Sequence, residues 1–421
     1  MKKPKTKSQP SRPNATVLRQ LVELIPTYLV AKLARETGAD ARARTFSPWS
    51  HVVAMLYAQV SHALGLNDVC DALRLRTTAL VAMRGATPPA RNTLSHANKE
   101  RPSSLPEKLF WRMLAHLQTQ HPGFARGGRK SLAWRFRRAI HVVDATTIQL
   151  VANCIDWARH RRRKAAAKCH LRLDLRSFLP SFAIVETAGE HDNVRAPALC
   201  AGLREGEIVL FDKAYLHFAH LWDLTVRGVF WVTRAKDNLV VKVKQRLPKH
   251  ADPRILKDEL VVLTVIQTAK SYPTVLRRVT ALVEVDGQKR VMVFLTNNLA
   301  WSPVTVCELY RCRWEIEVFF KQLKQTVQLV DFLGNSANAV QWQVWTALLV
   351  HLLLRFLAWR SVWPHSFTRL FTFVRAALWL PRDLAELLRR CGTAAGDYRA
   401  LDRPAQSWLP GLAHPLMGQP G

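Results

Sequence analysis

The chain has 421 residues, 62 of them Lys or Arg against 31 Asp or Glu, for a formal net charge of +31 at pH 7. That length, with 48% apolar residues, excludes a small disulfide-stapled fold and leaves room for two or three domains at ~100–200 residues each. So large a positive excess draws in polyanions, which makes nucleic acid the expected partner and disfavours the shorter, less apolar nonspecific basic proteins.

Cys70, Cys154, Cys169, Cys200, Cys307, Cys312 and Cys391 are odd in number, scattered and without a Cys-x-x-Cys pair, which fits reduced thiols in the cytosol. The basic start, Met1-Lys2-Lys3, leads into polar, Pro-containing residues 9–14 instead of an apolar run, so no signal peptide is expected. The apolar stretch 344–359 is shorter than the ~20 residues of a membrane span and carries His351 and Arg355, which predicts a buried helix of a soluble core and no membrane partner.

Residues 1–14 cannot bury a core and are expected to form a disordered basic arm. Ser47-Pro48 then supplies an N-cap and an N1 proline for an apolar-periodic stretch, Val52, Leu56 and Val60, that stops at Gly65. Asn67-Asp68 caps a second short helix reaching Leu73, and after Pro88-Pro89 the segment from Arg91 to Asn98 starts another. Short helices with a polar member bearing Arg, Asn, Ser and His are what a helix-turn-helix reader looks like in sequence, and a plain helical bundle fits them equally.

From about residue 138 short apolar runs alternate with helical segments, the pattern of an α/β core. Strands are expected over 140–148, 169–175, 182–186, 208–212 and 229–233, with helices near 194–203 and 216–226. Three strands followed by helix, strand, helix, strand is the order of a ribonuclease-H-like catalytic core, in which an antiparallel meander joins a parallel half. Residues 240–243, 260–265, 279–285 and 291–295 are β-rich with no comparable helix, which predicts a β-strand insertion. Helices resume near Val304 and run to about Arg390. The expected division is therefore a basic arm over 1–14, a helical N-terminal DNA-binding domain over 15–125, and the first part of the core over 135–236. The β-rich insertion follows over 237–300, the second part of the core with a Glu-bearing helix over 301–360, and a helical C-terminal region and tail over 361–421.

Asp144 and Asp212 each sit within or at the end of an apolar strand, where a carboxylate has to be paired, hydrogen-bonded or metal-bound, or else cap a turn. On a helix, Tyr310, Arg313, Glu317 and Lys324 fall at about 0°, −60°, −20° and −40°, one narrow face. Leu309, Ile316, Phe320, Leu323 and Val327 form an adjacent apolar stripe that docks the helix on the sheet. Taken alone, Arg313 and Glu317 also read as an ordinary solvated i,i+4 pair. Three carboxylates with flanking cations suit phosphoryl transfer on DNA, in which two divalent ions, Mg2+ with Mn2+ able to substitute, serve an in-line displacement. Arg313 and Lys324 would then hold phosphates, with Tyr310 donating to a phosphate or packing on a base.

The spacing Tyr310-x2-Arg313-x3-Glu317-x6-Lys324 resembles the hallmark of the insertion-sequence family four transposases, DDE cut-and-paste enzymes with a ribonuclease-H-like core and a β-strand insertion before the Glu. The resemblance implies that Asp144, in His141-Val142-Val143-Asp144-Ala145, is the first metal Asp and that Asp212, in Leu210-Phe211-Asp212-Lys213-Ala214-Tyr215, is the second. Lys168-Cys169-His170, Val232-Thr233-Arg234 and Leu295-Thr296-Asn297 also look like family segments, and the likeness covers most of residues 40–360. Many relatives carry Gly where this chain has Ala214. Members that excise through a DNA hairpin carry Trp near positions occupied here by Val291, Met292 and Val293. Trp231 and Trp301 are the substitutes, with core packing as their expected role. The basic run with Arg161, Arg162, Arg163 and Lys168 is expected to contact phosphates, as is Arg234, while His170 and His191 are expected to be structural.

These features imply a transposase that binds terminal inverted repeats, cleaves DNA by two-metal hydrolysis and joins its 3′-hydroxyl ends to target DNA. The alternatives are a DNA-binding derivative without cleavage and a nuclease without strand joining. Two ends have to be brought together, so a homodimer or larger synaptic complex is implied, with the helices after Gln341 as the default interface and the cytoplasmic nucleoid as the location.

Overall fold

The computed structural model describes residues 15–390 apart from 42, 127–135, 137, 151–158, 161–163, 188–191, 286, 328, 330 and 331. The N-terminal arm, the tail after 390, Arg161, Arg162, Arg163 and His191 lie outside the described residues.

Helices α1 (Val17–Val22), α2 (Leu29–Thr37), α3 (Pro48–Ser61), α4 (Leu66–Arg74), α5 (Thr77–Val81), α6 (Arg91–Glu100), α7 (Ser104–Gln120) and α8 (Pro122–Arg126) precede the first strand. In α3 the Ser47 hydroxyl accepts from the Ser50 N–H at 3.0 Å and Pro48 opens the first turn, as their order in the chain dictates. The helix is buried on all sides from Ser50 to Val60 and ends on His62 at φ 59°, short of Gly65. Gly65 instead caps α4: its N–H donates to Asp68 Oδ2 at 2.9 Å, so Asp68 acts from inside the helix rather than ahead of it.

The sheet begins with β1 (Ile140–Leu150), β2 (Arg159–His160), β3 (Lys164–Asp174) and β4 (Leu179–Thr187), then alternates through α9 (Asp192–Cys200), β5 (Ile208–Phe211), α10 (Phe218–Val226) and β6 (Phe230–Arg234). β4, β3 and β1 form an antiparallel meander, and β1, β5 and β6 run parallel. Parallel strands need both faces covered, and all four residues of β5 are buried. One face packs into a hydrophobic core shared with the N-terminal helices, and the other is covered by α9 and α10.

The β-rich segment supplies β7 (Val241–Arg246), β8 (Ile255–Leu263), β9 (Leu276–Val285) and β10 (Gln288–Thr296), with a short helix, α11 (Ile266–Ser271), that the sequence pattern did not show. These strands extend the core sheet instead of forming a separate layer. Phe294, Leu295 and Thr296 of β10 pair antiparallel with Arg234, Thr233 and Val232, and β9, β8 and β7 follow outward. Inside the extension Arg277 makes a two-pronged pair with Asp258, at 2.8 and 2.6 Å, with both side chains buried.

After β10 come α12 (Pro303–Arg311), α13 (Trp314–Lys321), a π-helical turn over Gln322–Thr326, α14 (Ala337–Arg360), α15 (Phe367–Ala376) and α16 (Leu384–Arg390). By length and composition α14 could cross a membrane, but every residue from 342 to 354 is buried inside the protein, between α3, α7 and the sheet. That stretch of α14 therefore serves the chain's own core and cannot supply the interface with another copy that was expected after Gln341.

The two kinds of ion pair predict different costs. Asp258→Ala strands a buried guanidinium and should lower the unfolding free energy by about 3–5 kcal/mol in urea denaturation. Asp223→Ala, which breaks the more exposed pair with Arg227 within α10 and the turn after it, should cost under about 1 kcal/mol.

Candidate active site

β1 and β5 run side by side with Val143 opposite Phe211, the last residue of β5. The next residue on each strand is an aspartate, so pairing alone sets Asp144 and Asp212 next to each other, neighbouring strands being ~4.8 Å apart. β1 continues past this point while β5 ends, and Asp212 opens a 3-10 turn over Lys213–Tyr215. Ala214 lies in that turn without a positive φ, so the position does not require glycine.

The glutamate arrives on α13. Leu309, Ile316, Phe320, Leu323 and Val327 are all buried, and they seat this segment on the sheet as their spacing predicted. The segment is not one regular helix, however. α12 stops at Arg311, Arg313 occupies the N-cap of α13, and a π turn begins at Gln322. The break does not scatter the polar residues. Arg313 Nη2 donates to Glu317 Oε1 at 2.8 Å, and its Nη1 lies 3.5 Å from Asp144 Oδ2. The Tyr310 hydroxyl donates to Asp212 Oδ1 at 3.4 Å, and the Arg313 guanidinium sits 5.6 Å from the Tyr310 ring centre. The strand carboxylates and the helix carboxylate are thus tied into one cluster through Arg313 and Tyr310.

Lys324 departs from the regular-helix expectation. It lies in the π turn, and its Nζ donates to the Thr147 carbonyl on β1 at 2.6 Å. The turn is held from outside: His351 Nε2 and Gln322 Oε1 are 3.0 Å apart, His62 Nε2 and the Thr326 carbonyl 2.9 Å, and the Gln59 amide donates to the Val327 carbonyl. α14 and α3 therefore fix where Lys324 stands, which no local pattern could show; single π turns often mark functional sites.

Burial pushes the Asp144 carboxyl up to about 6, with the charges of Asp212 and Glu317 adding to the effect and the Ala145 N–H and Arg313 opposing it. Burial also lowers Lys324 and raises Tyr310. Burial would lower Arg313 too, but the neighbouring Tyr310, Glu317 and Asp144 outweigh it and hold its guanidinium firmly charged. Among the described residues no three His, Cys, Asp or Glu side chains close around a single point, because the Arg313 fork lies between two of the acids. An all-carboxylate donor set, one member of which is half-buried and short of positive charge, nevertheless fits a hard divalent cation.

Of the other expected contacts, Lys168 stands opposite Thr147 across the β1–β3 pair, beside Lys324's partner, and Arg234 ends β6 within electrostatic range of Tyr310. His170 is fully buried with Nε2 3.1 Å from Glu186, which also binds Arg195, so its role is structural. Trp231 is fully buried with its indole N–H on Thr225, and Trp301 packs on Phe230, so neither offers a free ring. Trp314 does, at 48% exposure directly beside Arg313. Sequence reasoning passed over it, although it falls at about 40° on the same wheel, next to the polar face.

A family model described as a transposase DDE domain matches residues 135–353, and another, described as a domain of unknown function, matches 13–83. A putative transposase of Sinorhizobium fredii is 29% identical over 306 residues, 72% of this chain and 81% of its own. The probable transposase of insertion sequence element IS5377 from Geobacillus stearothermophilus is 27% identical over 63% of this chain and 67% of its own length. The InsG transposase of insertion sequence element IS4 from Escherichia coli is 26% identical over 44% of this chain and 42% of its own. A solved piggyBac transposase synaptic complex with hairpin DNA aligns at 9% identity and a TM-score of 0.45, covering 95% of this chain and 86% of that one, a level that carries no argument here.

Two strand aspartates met by a helix glutamate define the DDE class of enzymes. The chain belongs to the transposase DDE-domain family, as an insertion-sequence transposase of family four. Membership implies dependence on a divalent metal.

A carboxyl whose folded value lies above its ordinary one contributes stability at low pH that is lost as pH rises, here between about 4 and about 6. Without divalent ions, the stability of the wild type relative to Asp144→Asn should therefore fall by on the order of 2 kcal/mol from pH 4 to pH 7 in urea denaturation. A flat difference across that range would show that Asp144 is not under this pressure.

Proposed function

We propose that this transposase moves its element by cutting at terminal inverted repeats and joining the freed 3′-hydroxyl ends to target DNA, on a ribonuclease-H-like core. The observation that carries this reading is the Arg313 guanidinium held between Asp144 and Glu317 while Tyr310 binds Asp212. Asp144, Asp212 and Glu317 would hold the metal. Two Mg2+ ions, with Mn2+ able to substitute, supply when bound the activation of the attacking oxygen and the stabilisation of the leaving one. As the acids turn to that task, Arg313 is freed to give its fork to a phosphate, and the Tyr310 hydroxyl stays within reach as a donor. Lys324, Lys168 and Arg234 add positive charge along the same edge, and the run containing Arg161, Arg162 and Arg163 is assigned to phosphate contacts that do not read sequence.

The helical region over 15–125 is assigned to binding the element ends. Since two ends must be cut together, the working form is a homodimer or larger synaptic complex, acting on the nucleoid in the cytoplasm. Excision through a hairpin lacks its usual aromatic platform in this chain: Val291 is exposed, and Trp231 is locked in the core.

Incubation of the protein with Mg2+ and duplexes carrying the sequences that flank its coding region should give joined products. Nicks alone would indicate a nuclease, and neither product a DNA-binding derivative without cleavage. Asp144→Asn, Asp212→Asn and Glu317→Gln should each reduce cutting by at least about a hundredfold, while binding of end duplexes in a mobility-shift assay changes by less than about threefold. Normal cutting by any one of them would remove that residue from the site.

A further inference from the structure

The outer face of α6 has no role in the active site and no role in the core. Leu94, Ala97 and Asn98 bury one side of this helix. Arg91, Ser95, Lys99, Asn92 and His96 are exposed and, at about 0°, 40°, 80°, 100° and 140°, share the opposite arc. Asn92, Thr93, Ser95, His96 and Asn98 are all weak helix formers, so the helix is held by packing and not by propensity. Its anchors are firm. Asn98 Oδ1 and His51 Nε2 are 2.8 Å apart in the core, Asn338 of α14 donates to the Asn98 and Arg101 carbonyls at 2.9 and 2.7 Å, and the Trp342 indole N–H also reaches the Arg101 carbonyl at 2.7 Å.

A helix face shaped only for water usually carries acid–base pairs four residues apart. The one acid beside this arc is the exposed Glu100, four residues after His96, and its ion contact, with Lys99 at 4.0 Å, is loose and exposed. Every residue on the arc instead offers hydrogen-bonding groups of the kinds that meet base edges and phosphates: amide, imidazole, hydroxyl, guanidinium and ammonium. Asn92 and His96 also line a concavity of about 670 Å³ whose other wall carries the exposed Arg44. A helix ~10–12 Å across fits the ~12 Å major groove of B-DNA, and a cationic wall beside it suits the adjoining backbone.

We infer that α6 is the base-reading helix of this protein, lying in the major groove of a DNA duplex with Asn92 and His96 toward base edges and Arg91, Lys99 and Arg44 toward phosphates. This rests on the transposase reading, and assigns end recognition to four side chains on a rigid helix and Arg44 beside it rather than to the N-terminal region at large.

The test is selection of preferred sequences from a randomised duplex library by the full chain, followed by anisotropy titrations with the selected duplex and a scrambled one. Wild type should return a preferred sequence. The double variant Asn92→Ala, His96→Ala should return it relaxed at one or two positions, with discrimination against the scrambled duplex reduced at least about tenfold. Arg91→Ala, Lys99→Ala should weaken binding to both duplexes and make it less salt-dependent, lowering the slope by roughly two. Both variants replace exposed residues with a better helix former, so an unchanged melting temperature confirms that they fold. An unaltered preferred sequence and discrimination in the Asn92, His96 variant would overturn the assignment while leaving the transposase reading intact. No sequence preference in the wild type would overturn the end-binding reading itself.

Discussion

Like charges gathered in a poorly solvated place have to be balanced, and the centre of this molecule is organised by that constraint. Asp144 is pressed by burial and by the charges of Asp212 and Glu317, and the positive charge that answers them comes from Arg313, one turn before Glu317 on the same segment. The arrangement is poised, because a carboxylate cluster that is only partly compensated has a standing affinity for cations. Structure and chemistry meet in that imbalance: on the proposed function, what costs stability in the free protein is what would let the site take up divalent ions.

Holding such a cluster together requires a stiff frame, and the frame reaches well beyond the catalytic strands. β1 and β5 fix two acids by register, and the apolar stripe from Leu309 to Val327 fixes the approach of the third. α14 touches both ends of the system. Its His351 meets Gln322 at the π turn, while Asn338 and Trp342 hold the end of α6. The N-terminal helices and the sheet consequently share one hydrophobic core, so the part assigned to grasping DNA and the part that cuts it are built on a common support.

The strands were legible because each is a short apolar run bounded by polar residues, and the Glu-bearing segment because its polar and apolar positions separate at helical spacing. The placing of Asp144 within a strand and of Asp212 at the end of one could be read in the same way. Other features were not local. Nothing in the residues 237–300 says that β10 will pair with β6 and prolong the sheet, since an edge of a β-insertion and an edge of a core look alike until they meet. The π turn at Gln322 is imposed by His351, His62 and Gln59, which lie far away in the chain. Trp314 became notable only once Trp231 and Trp301 proved to be packed away.

By itself the sequence determined which residue types were available and in what local period: the basic surplus, the alternating α/β pattern, the Tyr310 to Lys324 spacing and the polar face of α6. Tertiary structure alone decided that Arg313 bridges two carboxylates and that Lys324 leans onto β1. The physical reason is one of range. Periodicity and capping are settled within a few residues of chain, whereas charge compensation, burial and strand pairing depend on groups that become neighbours only when distant segments pack.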